Sequence, residues 1–312
     1  MNTANPDLEL LLEELGTSVT TTLDTAVEVE ESDGSFDADD IRSSSSKKWI
    51  KLPEVVAVAF DMVGSTKLSL KHHDKSTAKI YQSGVGGAVR SLNAYGANFI
   101  DIQGDGGFGL FWGEKAHERA LCSAITIKTF SLTFTEKLEK KYDDGLPETG
   151  FKVGIHAART LVKKIGTLRK PEEQEPVWAG KPVNYAYKCA QAADSHLLVI
   201  TDKVWQKFKN NDFVVYSCGC SEGATPSNNL WEPMEHEILP EDESIVHVLQ
   251  SAWCLNCGPK YAEAILNGET TRTDVKNYLR EQQRMKMESA LVATARRDRT
   301  QRVARLRGLS KR

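Results

Sequence analysis

Val55-Val56-Ala57-Val58-Ala59-Phe60-Asp61-Met62-Val63-Gly64-Ser65-Thr66 is an apolar run that stops on a carboxylate and then turns through Gly-Ser-Thr. Six consecutive apolar residues, Val55 to Phe60, predict a strand buried in a sheet. A helix is expected from Thr66 towards Leu92. Ala97–Gln103 and Gly107–Trp112 read as two strands joined by Gly104-Asp105-Gly106, a tight hairpin turn. Residues 115–139 carry Ala120, Ile127 and Leu132 at helical positions. Phe151–His156 alternates as a strand, residues 182–193 form a short helix, and Leu197–Ile200 adds a strand. Interleaved hairpins and helices predict an α+β fold, an antiparallel-rich sheet with helices packed on one face.

Outside this block the composition changes. Residues 1–47 hold a Leu/Glu-rich segment, Thr-rich and acidic tracts, and the run Ser43-Ser44-Ser45-Ser46. Such a segment buries too little apolar area to offset its chain entropy, so a disordered tail is expected. Leu8, Leu11, Leu12 and Leu15 share one helical face, which leaves a short docking helix as the alternative. Residues 48–250 form the expected globular domain. Residues 251–312 form a C-terminal helical extension that is basic from Arg296 to Arg312. A solvated or dimer-packing helix is the favoured reading of that extension; contact with nucleic acid or an anionic surface is the sharper alternative. The net charge of −3 gives no general affinity for nucleic acid. No apolar stretch approaches the roughly 18 residues of a membrane span, and no secretory leader is visible, so a cytoplasmic protein is expected.

Two aspartates stand out by context. Asp61 ends the buried strand, where a carboxylate can hold a hard cation. The Val63-Gly64-Ser65-Thr66 turn that follows can present backbone N–H groups to phosphate oxygens. Asp105 sits at the hairpin tip, where a second carboxylate meets the first if the strands are neighbours. Two carboxylates and a triphosphate describe a two-metal site for phosphoryl chemistry. Taken singly, Asp61 also fits a helix cap and Asp105 an ordinary turn residue.

Phe60–Thr66 and Gly104-Asp105-Gly106 resemble the two metal-binding motifs of class III adenylate and guanylate cyclases, and their separation suits that family. Val153-Gly154-Ile155-His156 resembles its central strand. Gly180-Lys181-Pro182-Val183-Asn184-Tyr185-Ala186 resembles its Asn-bearing helix. The resemblance covers residues 53–216 in consistent order. It implies the ferredoxin-like cyclase catalytic fold and a homodimer with composite sites. It also implies two Mg²⁺ or Mn²⁺ ions on Asp61 and Asp105, with the Met62 carbonyl assisting. The ribose 3′-oxygen attacks the α-phosphorus and pyrophosphate leaves. The resemblance further implies that Asn184, given across the dimer, orients the ribose. Where the family has an arginine to meet charge on the α-phosphate, this chain has Lys188, which keeps the charge without the planar fork.

The positions that read a purine in this family also depart from its pattern. Adenylate cyclases place a lysine four residues before the second metal aspartate and an Asp or Thr seven before the Asn; here these are Asp101 and Val177. The Glu and Cys pair of guanylate cyclases is absent as well. With Leu230-Trp231-Glu232 and Trp253-Cys254 beyond the matched residues 53–216, the chain looks like the pyrimidine cyclases of bacterial Pycsar antiphage systems. Those make cyclic UMP or cyclic CMP, which activates a separate effector. UTP is then the expected substrate, with CTP and ATP as alternatives. A degenerate nucleotide-binding regulatory module is the rival of another class.

Six cysteines without a leader read as reduced thiols or metal ligands. Cys218-Gly219-Cys220 and Cys254-Leu255-Asn256-Cys257 offer a set for structural zinc. Buried apolar thiols are the favoured reading, because CxC is the less usual spacing and the pairs lie far apart in sequence. His72-His73 reads as solvated surface.

Overall fold

The computed structural model describes residues 7–32, 34–71, 73–142, 146–168 and 170–309. Helix α1 (Leu8–Asp24) and strand β1 (Glu28–Glu31) precede β2 (Lys48–Val63), α2 (Ser65–Lys71) and α3 (Asp74–Ala94). The hairpin β3 (Phe99–Gln103) and β4 (Gly106–Phe111) leads into α4 (Ala116–Tyr142) and β5 (Gly150–Gly166). Then follow β6 (Gln174–Gly180), α5 (Lys181–Ala192), β7 (Leu198–Thr201), α6 (Asp202–Phe208), α7 (Asp212–Val215), β8 (Trp231–Glu235) and β9 (Ile245–Leu249). Helices α8 (Gly258–Leu266) and α9 (Thr273–Leu309) end the described chain.

The sheet runs in the order β3-β4-β2-β5-β7-β9-β8, with β1 joined to β2 and β6 to β5. Its pairs are antiparallel except β1–β2 and β5–β7. The mixed α/β architecture predicted from the sequence is present. One feature differs: helices cover both faces of the sheet. Val56, Val58, Phe60 and Met62 of β2 pack towards α3 and α4. The alternate residues Val55, Ala57 and Ala59 pack with Phe108, Leu110 and Trp112 and with Ala186 and Ala190 of α5. That two-sided burial is why the strand reads as continuously apolar rather than alternating, and small Ala57 and Ala59 let α5 sit close. The register shift between Leu52 and Val55, at Pro53, turns Ile50 and Leu52 onto the α5 face as well.

The N-terminal segment departs from the disordered tail its composition predicts. Strand β1 pairs in parallel with Lys48–Lys51, and Glu30–Arg42 and Glu31–Lys51 ion pairs tie its acidic side chains. Ile41 is buried, Phe36 packs at 5.8 Å from Trp112, and the Trp112 indole N–H donates to the Phe36 carbonyl at 2.8 Å. Helix α1 buries none of its residues. Deleting the chain through Ala26 should therefore leave stability nearly unchanged, whereas Ile41→Ala should cost about 2–4 kcal/mol in urea unfolding. Equal effects would contradict this division of the segment.

The C-terminal boundary also moves. Residues 251–272 belong to the packed body: Ala262 and Ile265 join the core, and Trp253 donates from its backbone and indole to Thr129 and Thr126 on α4. From Lys276 to Arg305, α9 is almost wholly exposed. Among the described residues, no helix is long and apolar enough to cross a membrane. His72 lies outside the described residues; His73 is exposed at the start of α3.

Candidate active site

Adjacent pairing of β2 with β4 brings the end of the buried strand beside the hairpin tip. Phe60 stands opposite Gly107, and a Cβ on Gly106 would lie 2.7 Å from the Phe60 carbonyl and 3.1 Å from Asp61 Oδ1. Glycine at this place leaves room for the Asp61 carboxylate next to Asp105. Asp61 reaches solvent, yet surrounding protein strips part of its hydration. That burial and then the charge of Asp105 raise its carboxyl pKa, while Lys152, its cross-strand partner on β5, opposes them. Two carboxylates close enough to repel across a sheet edge, with hard oxygen donors only, fit divalent Mg²⁺ or Mn²⁺.

Met62 turns its side chain into the core, which leaves only its backbone to serve the site. Val63 pairs with Gly150 at the strand end. Gly64 has φ +75°, and a side chain there would collide with the Glu148 carbonyl. The chain thereby reverses into α2, whose first residues are Ser65 and Thr66. Asp101 on β3 pairs with Phe108 and is half-buried; its Oδ2 accepts from Gln103 Nε2 at 3.1 Å.

Val177, expected to border the base, faces away from the side of β6 that carries Trp178. It is 42% exposed and alternates on β6 with Trp178. Trp178 packs 5.2 Å from Phe99, and so reaches the face of β3 that carries Phe99 and Asp101. Trp178 was missed because the neighbouring position was assigned from the family pattern, without the facing of β6.

Asn184 is exposed on the first turns of α5, its Nδ2 3.4 Å from the Gly180 carbonyl. One turn on, the Lys188 ammonium sits 5.4 Å over the Tyr185 ring, and Lys181 sits 5.2 Å over the same ring. Tyr185 is backed by His156 at 4.9 Å. Burial, and then Lys203 and Lys181, push the His156 pKa down to about 3, so the imidazole is neutral and acts as a packing surface held by Thr201 at 3.1 Å. Among the described residues, Asp61 feels the charges of Asp105 and Lys152, and Lys188 is not one of its charged neighbours. Asn184 is exposed and Lys188 half-buried on α5, off the Val183, Ala186 and Tyr187 face that packs on the sheet.

Tyr187 is the functional candidate that sequence reasoning passed over. Burial, and then the charges of Asp101, Asp61 and Asp105, push its hydroxyl pKa up to about 12, and its ring packs 6.1 Å from Phe108, the cross-strand partner of Asp101. The Tyr187 hydroxyl and the Trp178 indole N–H are both buried without a hydrogen-bond partner. A buried polar group left unpaired costs about 1–3 kcal/mol, which a ligand can recover. The available signal was its spacing from Val183 and Ala186, which marks the side of α5 that packs on the sheet.

No sequence-family profile matches the chain. A uridylate cyclase from Propioniciclava tarda is 57% identical over 304 residues, spanning 97% of each chain. A uridylate cyclase from Micromonospora echinofusca is 42% identical over 306 residues, spanning 97% of this chain and 98% of that one. Among solved structures, the adenylyl cyclase CyaB from P. aeruginosa superposes with a TM-score of 0.52 at 12% identity, over 65% of this chain and 96% of that one.

Proposed function

The chain belongs to the uridylate cyclases, lyases with the class III cyclase fold, and we propose that it converts UTP to 3′,5′-cyclic UMP and pyrophosphate in a homodimer with composite sites. The observation that carries the mechanism is the pairing of Asp61 and Asp105, whose carboxylates repel each other across the sheet edge. These two side chains and the Met62 carbonyl would hold Mg²⁺ or Mn²⁺. When bound, such ions supply Lewis-acid stabilisation of the triphosphate and of negative charge on the 3′-oxygen. The Val63–Thr66 turn follows the first aspartate directly and would carry phosphate oxygens. The Tyr187 hydroxyl, buried and unpaired, would donate to a group held between the aspartates. Asn184 of the second protomer would orient the ribose, and its Lys188 would set positive charge against the α-phosphate. The 3′-oxygen then attacks the α-phosphorus, its proton passes to solvent, and pyrophosphate departs.

Asp101 supports the choice of base. Adenine and cytosine present an unprotonated ring nitrogen, an acceptor, at the edge where uracil presents N3–H and guanine N1–H, both donors. This side chain therefore favours UTP over ATP and CTP, while the uridylate cyclase relatives support UTP over GTP. An acceptor-only carboxylate pairs with the donor and leaves the acceptor unmatched. The kcat/KM for UTP should therefore exceed that for ATP at least ~10-fold, about 1.4 kcal/mol. Mass spectrometry of products from the four ribonucleoside triphosphates tests this. Equal turnover of ATP or GTP would remove the uracil assignment and leave the cyclase in place. As in the Pycsar systems it resembles, the product is proposed to act as an antiphage signal to a separate effector.

A further inference from the structure

Cys122 and Cys189 are buried, as expected of packing thiols, but the other four cysteines are not. The fold closes the long sequence interval between them. The Sγ atoms of Cys218, Cys220, Cys254 and Cys257 all lie within 4.8 Å of one another, and the Cys220 and Cys257 sulfurs are 3.5 Å apart. Four sulfurs about a zinc at roughly 2.3 Å stand about 3.8 Å from each other, so this grouping has the dimensions of a tetrahedral thiolate site.

Each half is shaped as a metal knuckle. Gly219, at φ +71°, reverses the chain between Cys218 and Cys220 so that both sulfurs face one point. The backbone N–H groups of Cys257 and Asn256 lower the Cys254 thiol pKa to about 7, and the Gly258 N–H donates to the Cys254 carbonyl at 2.6 Å. Cys257 then caps α8. Such outer hydrogen bonds fix the direction of a ligating sulfur. Arg272, buried to 2% exposure, donates to the Tyr216 and Ser217 carbonyls just before Cys218 and lies 4.7 Å over the Tyr261 ring of α8. Its charge is met by Asp274, so its part is to fix the Tyr216–Ser217 backbone that leads into Cys218 against α8.

We propose that these cysteines bind one structural Zn²⁺ ion, separate from the divalent ions of the reaction. The four thiols bind as thiolates and release their protons to solvent, leaving a closed ZnS₄ centre with no open position for chemistry. Its physical task is local. Residues 217–230 contain no helix or strand of their own, and few of them are buried. The metal ties this loop to the start of α8, and so holds α8 and the Trp253 segment against α4. The soft sulfur set excludes Mg²⁺ and Mn²⁺ from this site as surely as the carboxylates favour them at Asp61 and Asp105.

The test uses the full chain, produced without a metal-affinity tag in zinc-supplemented medium and passed through gel filtration with EDTA. Elemental analysis should find about one zinc per chain. Stepwise addition of an organomercurial should release that zinc as four thiols are titrated, read with a chromogenic zinc indicator. The double variant Cys220→Ser, Cys257→Ser should retain less than about a tenth of the zinc and melt several degrees lower. The wild-type titration stands even if that variant fails to fold. Zinc-free protein with freely titrating thiols, two disulfides found by mass spectrometry, or iron in place of zinc would each overturn the proposal.

Discussion

Asp61→Asn and Asp105→Asn should each reduce turnover at least ~10³-fold, which corresponds to about 4 kcal/mol of transition-state stabilisation, without destabilising the fold. The second half of that result distinguishes a site residue from a structural one. The Asp61 carboxyl is raised above its usual pKa by burial and by Asp105, against Lys152. A carboxylate with a raised folded pKa opposes folding once pH exceeds that value, because the folded state takes up the proton more readily than the unfolded chain. Removing the charge relieves this, so without divalent ions Tm should hold or rise. A bound Mn²⁺ ion relieves the same repulsion, so added Mn²⁺ should raise the wild-type Tm by mass action and leave either variant much less affected. Acidification should act on the wild type in the same sense, since stability from this group is gained as pH falls through its raised folded pKa towards the unfolded value. Retained activity in Asp105→Asn with Mn²⁺ would end the two-metal reading. A large loss of Tm in metal-free buffer would make the pair a structural element instead.

The paired carboxylates of Asp61 and Asp105 were legible because each lies inside a local pattern. Asp61 follows an apolar run with no break, and Asp105 is flanked by turn glycines; neither needs knowledge of what it packs against. Their meeting required only that β2 and β4 be neighbours. Tyr187, Trp178 and Lys152 were hidden for the opposite reason. Their roles come from the facing of α5 and β6 and from the register that sets Lys152 opposite Asp61, which no short window of sequence contains. The same limit explains the N-terminal segment. Glu28-Val29-Glu30-Glu31 is too acidic to read as a strand, and pairs with Lys48–Lys51 because Arg42 and Lys51 answer its charges. The cysteine cluster was hidden by distance along the chain. A CxC and a CxxC become one site only when α7 and α8 are placed side by side, with Arg272 bridging them through Asp212, Tyr216 and Ser217.

A mixture of Asp61→Ala and Asn184→Ala chains should recover activity that neither variant has alone. Within one chain the charges acting on Asp61 are Asp105 and Lys152, while Lys188 stands over Tyr185 and Asn184 is exposed. A two-fold dimer offers the means to unite the two halves, since each protomer presents both surfaces and an isologous interface brings one to the other twice. In the heterodimer one site then carries both substitutions and the other carries none. Random exchange of equal amounts makes about half of the dimers heterodimeric, each with one intact site, so total activity should return to about one quarter of wild type. The separate variants should remain at least ~10³-fold down if Asp61 is a metal ligand, and ~10²-fold or more down if Asn184 orients the ribose by a near-attack geometry. Subunit exchange is checked independently with two differently tagged chains. If exchange occurs and activity stays at the level of the better variant, Asn184 serves the site of its own chain and the composite site is wrong.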